Sequence, residues 1–290
     1  MMLRKSVILP IAMLMTLITL LGSSVPYAAM VDAGVSKNVP LAGMPKATVM
    51  SPDGKTVFVL TDGGEVAIFE PAGTLRGTIQ VGAGSNDITV SPDGSRLYVT
   101  SGQQKTLKIV ELDYIITLDT DNAPCKGPQD APVVIAVFSD FQCPYCAKLN
   151  PILRQVLKKY PRQVKLVYKF LPLTSIHKDA MRAAIAALAA ERQKKFWEYQ
   201  DALLQSYREL SEARLVEIAK TIGLDMERFS RNRKDPRLVN RVREDMKEAG
   251  DNNIRSVPSV FINGRQLKSR SPKSFDRAIN AELRRLGLQK

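Results

Sequence analysis

Cysteine, histidine and tryptophan are scarce here, with three, one and one among 290 residues. A structural zinc site takes about four Cys or His ligands, and the chain offers only Cys125, Cys143, Cys146 and His177, so no metal is expected. A Cys–His hydrolase is set aside as well: His177 lies well downstream of the cysteines and reads as a solvated or capping residue. Long apolar runs are also few. The one from Val7 to Leu21 would make a helix of about 22 Å, short of a ~30 Å hydrocarbon core, and no later run is longer. The densest basic cluster, Arg231, Arg233, Lys234, Arg237, Arg241 and Arg243, is mixed with acids and lacks interleaved aromatics. It reads as a solvated helical face, and no nucleic acid is expected as a partner.

Against that sparse background, two of the three cysteines stand together in Cys143-Pro144-Tyr145-Cys146, after the apolar run Val133 to Phe138 and ahead of the helix-compatible stretch Ala147 to Tyr160. A strand feeding a helix places the first cysteine at a helix N-terminus, where unpaired N–H groups and the helix dipole favour a thiolate. Cys143 is therefore the expected nucleophile. Cys146 falls within disulfide reach across the first turn and is the expected resolving thiol; Pro144 suits that turn because its missing N–H would be unpaired anyway. Such a pair needs no cofactor.

The N-terminus has the layout of an export signal. Arg4 and Lys5 precede the apolar run, and Gly22, Ser23, Ser24, Ala28 and Ala29 follow it. We expect a signal peptide at 1–29, cut between Ala28 and Ala33, and a product in an oxidising compartment, the periplasm of a Gram-negative source; an uncleaved membrane anchor is the lesser expectation.

An internal repeat follows. Ser51-Pro52-Asp53-Gly54 with Thr56 to Leu60 recurs as Ser91-Pro92-Asp93-Gly94 with Arg96 to Thr100, and each copy has a second matched strand, Glu65 to Phe69 and Thr106 to Val110. Pro-Asp-Gly makes the turn and alternating β-branched and aromatic residues make half-buried strands. This region resembles blades of the β-propeller family with Ser-Pro-Asp-Gly repeats. Two blades do not close a ring. The expectation is a small all-β domain at 30–112 that docks or self-associates, giving a homo-oligomer; it contains no histidine or cysteine and no clustered acids to support catalysis. Charge changes at the same place. Residues 30–112 carry 7 basic against 8 acidic side chains and residues 113–290 carry 33 against 21, most of the net +13.

From Cys125 on, the chain resembles the DsbA-like group of thioredoxin-fold thiol–disulfide oxidoreductases. The residues that carry the likeness are Gly127, Asp130 to Val133, Phe138 to Gln142 leading into the cysteine motif, Val164 to Phe170, Pro172, His177, Phe196-Trp197 and Val257 to Gly264. The resemblance implies an α/β thioredoxin fold at 113–290 with a helical subdomain inserted at about 176–250. It also implies a cis-proline at Pro258 facing the disulfide, with Pro144, Tyr145, Val257 and Pro258 forming the substrate-binding surface. Cysteine-containing client proteins and a redox partner, a membrane oxidase or reductase, are the implied partners. The likeness departs from its pattern at Val137, where the family commonly buries an acid six residues before the first cysteine, and at the odd thiol Cys125, read as a buried inert side chain or an inter-chain link. Tyr145 adds no positive charge, which points to milder oxidising power, while Val257 before Pro258 leans towards oxidase-type members. The alternatives are an oligomeric isomerase or reductase, and a propeller-like binding module with a vestigial redox domain; retention of both cysteines and Pro258 counts against the latter.

Overall fold

The computed structural model describes residues 34–288; the expected signal peptide and its cleavage site lie outside them. Among the described residues no helix is long and apolar enough to cross a membrane. Compactness divides the described residues into two units: 34–88 with 100–106, and 89–99 with 107–288.

The first repeat forms β1 (Pro45–Met50), β2 (Val57–Thr61), β3 (Glu65–Phe69) and β4 (Leu75–Gln80), an antiparallel sheet in the order β1-β2-β3-β4. The second forms only β5 (Asp87–Val90), β6 (Arg96–Ser101) and β7 (Thr106–Glu111). Both copies build the same turn. The Ser51 hydroxyl donates to Asp53 at 2.6 Å and accepts from the Thr56 N–H at 2.9 Å, as Ser91 does with Asp93 at 2.5 Å and Arg96 at 2.9 Å. Gly54 and Gly94 both take φ of +70°, which a side chain would resist. Among the described residues neither sheet closes on itself, and the second lacks a counterpart of β4. Where that strand would fall, Ile115 instead bridges Arg265, and the Ile116 N–H donates to the Gly264 carbonyl at 3.0 Å. Gly264 permits this approach, since a Cβ there would collide with the Ile116 carbonyl.

The remaining strands are β8 (Cys125–Lys126), β9 (Val133–Ser139), β10 (Val164–Phe170), β11 (Ser259–Ile262) and β12 (Arg265–Gln266), in the order β12-β11-β9-β10-β8. The central strands β9 and β10 are parallel, as their linkage through the crossover helix α1 (Pro144–Lys159) requires, and β11 runs antiparallel to β9. Buried on both faces, β9 and β10 read as nearly continuous apolar runs. One face packs Val133, Ile135 and Val137 against Leu149 and Leu153 of α1 and Phe275 and Ile279 of the last helix, α7 (Pro272–Arg285). The other face packs Phe138, Val167 and Phe261 against Ala249 and Ile254.

Between β10 and β11 stand α2 (Ala180–Glu191), α3 (Phe196–Gln205), α4 (Glu212–Thr221), α5 (Met226–Arg233) and α6 (Pro236–Asp251). Seven buried alanines on α2 let its neighbours approach from several sides, so it forms the axis of this helical group. A buried ion cluster ties the group to the sheet. Lys169 of β10 reaches Asp245 at 2.6 Å and Glu248 at 2.9 Å on α6, and Asp245 also accepts from the Phe170 N–H. Burial pushes the Asp245 carboxyl up, and the Lys169 charge opposes that shift.

Candidate active site

Strand β9 ends at Ser139, and the chain turns through Asp140 to Gln142 before α1 begins. Cys143 is the N-cap residue, with extended backbone at φ −80° and ψ 121°, and Pro144 opens the helix. The Cys143 carbonyl accepts from the Ala147 N–H at 3.1 Å. Its own sulfur thus sits at the mouth of the helix among backbone donors.

Both thiols are free and buried, at 4% and 2% exposure, yet their environments push them apart. A hydrogen bond from Cys146, aided by the N–H groups of Cys146 and Tyr145, holds the Cys143 thiol down to about 6, against burial and the charge of Asp140. Burial pushes the Cys146 thiol far up, and Cys143 adds to it, while the Ser139 hydroxyl and the Asp140 N–H act in the opposite direction. Near neutral pH the pair is one thiolate and one thiol. The N-terminal cysteine carries the charge.

The other expected site residues surround this pair. Val257 and Pro258 are joined by a cis peptide bond, and the Cys143 sulfur lies 3.7 Å from the Val257 carbonyl oxygen, to which it donates only when protonated. Pro144 is half-buried, and Tyr145 is 67% exposed with the Lys148 ammonium 5.7 Å from its ring centre. The dipeptide itself carries no positive charge, as the sequence shows, but Lys148 just outside the motif was not singled out there; the turn spacing of 145 and 148 on a helix was the available signal. Beneath the pair lie stacked aromatics, Phe141 on Tyr168 at 5.4 Å between ring centres, with Phe196 edge-on.

Two expectations require correction. His177 is not simply solvated or capping: its Nδ1 lies 2.8 Å from Oδ2 of Asp140, which is fully buried three residues before Cys143. The loop 171–179 folds back to make this contact, and the Leu173 N–H shares the same carboxylate oxygen at 2.8 Å. Cys125 is exposed rather than buried, because the two-residue β8 lies at a sheet edge; its sulfur is 3.7 Å from the Gln129 side chain. Val137 is buried in the apolar layer beneath α1. No group of three or more His, Cys, Asp or Glu among the described residues could hold a metal ion.

A cysteine pair at the head of a crossover helix, on a sheet of this order and beside a cis-proline, defines the thioredoxin class of α/β folds. The chain belongs to the thioredoxin family described as Thioredoxin_4, whose profile matches residues 119–281. It is 37% identical over 155 residues to the Na(+)/H(+) antiporter NhaA 3 of Salinispora tropica, a match covering 53% of this chain and 24% of that protein. The chain thus spans about a quarter of the length of the curated relatives it matches. Among solved structures, the thiol-disulfide exchange protein alpha-DsbA2 of Wolbachia pipientis superposes with a TM-score of 0.52 at 19% identity, over 56% of this chain and 87% of that one. BdbD of Bacillus subtilis gives 0.51 at 22%, over 57% and 95%, and a thioredoxin-like oxidoreductase of Silicibacter pomeroyi gives 0.51 at 25%, over 57% and 94%. These likenesses show the fold.

Proposed function

We propose that the chain is an exported thiol:disulfide oxidoreductase acting on cysteine-containing proteins in the periplasm through Cys143 and Cys146. The observation that carries this reading is the opposed pair of thiols, one lowered to about 6 at a helix N-terminus and one raised by burial in the next turn. In oxidation, a client thiolate attacks the Cys143 sulfur of the Cys143–Cys146 disulfide and expels the Cys146 thiolate, which takes up a proton. The client's second thiolate then attacks its own mixed-disulfide sulfur and expels Cys143 as the stable thiolate. Pro144, Tyr145, Val257 and Pro258 form the client-binding rim, and a separate redox protein returns the pair to its working state. The proposed domains are 30–112 for the repeats and 113–290 for the redox domain. The ion transport in the antiporters' name is not carried over.

The test is equilibration with a glutathione buffer, together with a Cys146→Ala variant. A reversible disulfide and a trapped client–Cys143 adduct are expected; a pair that stays reduced in oxidised glutathione and traps nothing would exclude the proposal. A potential near about −120 mV marks an oxidase and one near about −270 mV a reductase. The second reading, an oligomeric isomerase or reductase, is favoured by the exposed Met50, Leu75, Leu107 and Ile109 on the strands of the repeats, which suit self-association.

A further inference from the structure

We infer that Asp140 and His177 are the proton-holding pair of this redox centre: when the Cys143–Cys146 disulfide is reduced, one proton goes to the Cys146 thiol and the second to the His177 ring, leaving Cys143 as thiolate. The inference rests on the redox reading above. The reductant is the client dithiol, whose two sulfurs join as a disulfide and release two electrons and two protons. All are thereby accounted for.

The geometry supplies the reason. Asp140 is fully buried, and its carboxylate is held by the Gln142 N–H, the Leu173 N–H and the His177 Nδ1, each at 2.8 Å. It stands one turn before Cys143, whose N–H donates to the Asp140 carbonyl at 3.2 Å. The Asp140 charge opposes a thiolate on Cys143, so a second negative charge there calls for a cation beside the carboxylate.

Few groups can provide one. At the head of α1 the neighbours are the N-cap Cys143 and Cys146; on β10 the neighbour is the Tyr168 phenol, which burial keeps neutral. Asp179, beyond His177 in the same loop, is engaged by Arg182 of α2, and Lys148 lies against the exposed Tyr145 ring. His177 is the side chain that touches Asp140 and can gain a proton. Its side chain is 19% exposed, which opens a path to solvent that the carboxylate lacks. Since the Asp140 charge disfavours the Cys143 thiolate, the thiolate must by reciprocity favour a proton on the pair. His177 is accordingly a positioning and proton-holding residue that acts on the sulfur through Asp140.

The chain contains one histidine, so its imidazole signal in a proton NMR titration of the full protein is unambiguous. That signal is expected to titrate at higher pH in the reduced protein than in the oxidised one. Ultraviolet absorbance of the thiolate supplies the second readout: His177→Gln should require higher pH to ionise Cys143, and Asp140→Asn should require lower pH, opposite shifts that a purely structural role would not produce. Imidazole titrations that coincide in the two redox states would overturn the inference, whether or not the variants fold. A pair that never forms a reversible disulfide with glutathione would instead remove the redox reading itself, and the two failures are told apart by that control.

Discussion

Tyr168 on β10 is the register partner of Val137 on β9, so the two side chains share the face of the sheet that α1 covers. The phenol hydroxyl is buried, and the Ser139 hydroxyl lies near enough to act on it but does not reach it with ordinary hydrogen-bond geometry. A polar group thus lies one strand away from the position at which the resembled family keeps its acid.

Removing that hydroxyl should help stability. Tyr168→Phe deletes a buried group that Ser139 satisfies poorly, where full desolvation costs about 1–3 kcal/mol, and keeps the ring stack on Phe141. Urea unfolding of the reduced protein is expected to show a gain of about 1 kcal/mol; a loss would reveal a partner for the hydroxyl.

Val137→Glu restores the acid. The carboxyl would enter an apolar layer, costing roughly 1–3 kcal/mol even when partly satisfied by the Tyr168 hydroxyl. Stopped-flow resolution of a mixed disulfide near neutral pH should nonetheless accelerate, with the gain shrinking at high pH. An unchanged rate in a folded variant would mean that Cys146 already has its acceptor.

Alkylation of the reduced protein should label Cys143 first, with a rate that rises through pH 6 and levels off above it. The same shift has a stability consequence. Because the folded thiol is lowered from 9.0 to about 6, its contribution is fully present above pH 9 and is lost as pH falls towards 6. Relative to Cys143→Ser, the reduced protein should therefore gain stability between pH 6 and 9, as read by thermal unfolding across that window.

Lys169→Met should be among the most damaging substitutions distant from the cysteines. It leaves the Asp245 carboxylate of α6 with only the more distant Arg241, at 3.8 Å, and strips Glu248 of its lysine, and breaking a buried pair costs about 3–5 kcal/mol. Denaturant titration measures the loss. Replacing Lys169 and Asp245 together by Met and Leu should recover most of it.

The repeats should drive self-association. Light scattering of the mature protein at micromolar concentration is expected to report an oligomer, and Leu107→Lys with Ile109→Lys, both on exposed positions of β7, should shift it to monomer. A monomeric parent would leave the oligomeric isomerase reading without support.

Local signals were legible in the chain, and contacts closed by loops were not. The cysteine motif could be placed at a strand–helix junction because Val133 to Phe138 and Ala147 to Tyr160 carry their own periods, and both Pro-Asp-Gly turns are made by residues within six positions of one another. Asp140 and His177 were invisible as a pair, since their meeting depends on the path of residues 171–176 between β10 and α2. Cys125 looked like a core residue because cysteine usually is one; only the sheet order puts it on an edge. The period of the repeat indicated two equal blades. It carried no sign that residues after Leu112 would be drawn to β12 by Gly264, which lacks the side chain that would have kept Ile116 away.

The unfinished second sheet makes the repeats a cassette rather than a closed body. Each copy opens with a self-contained serine–aspartate clasp, and β7 ends at Glu111 immediately before the seam at Leu112, whose N–H donates to the Ser95 carbonyl. Each turn is thus closed by contacts within six residues, and neither turn depends on the strand that the second copy lacks.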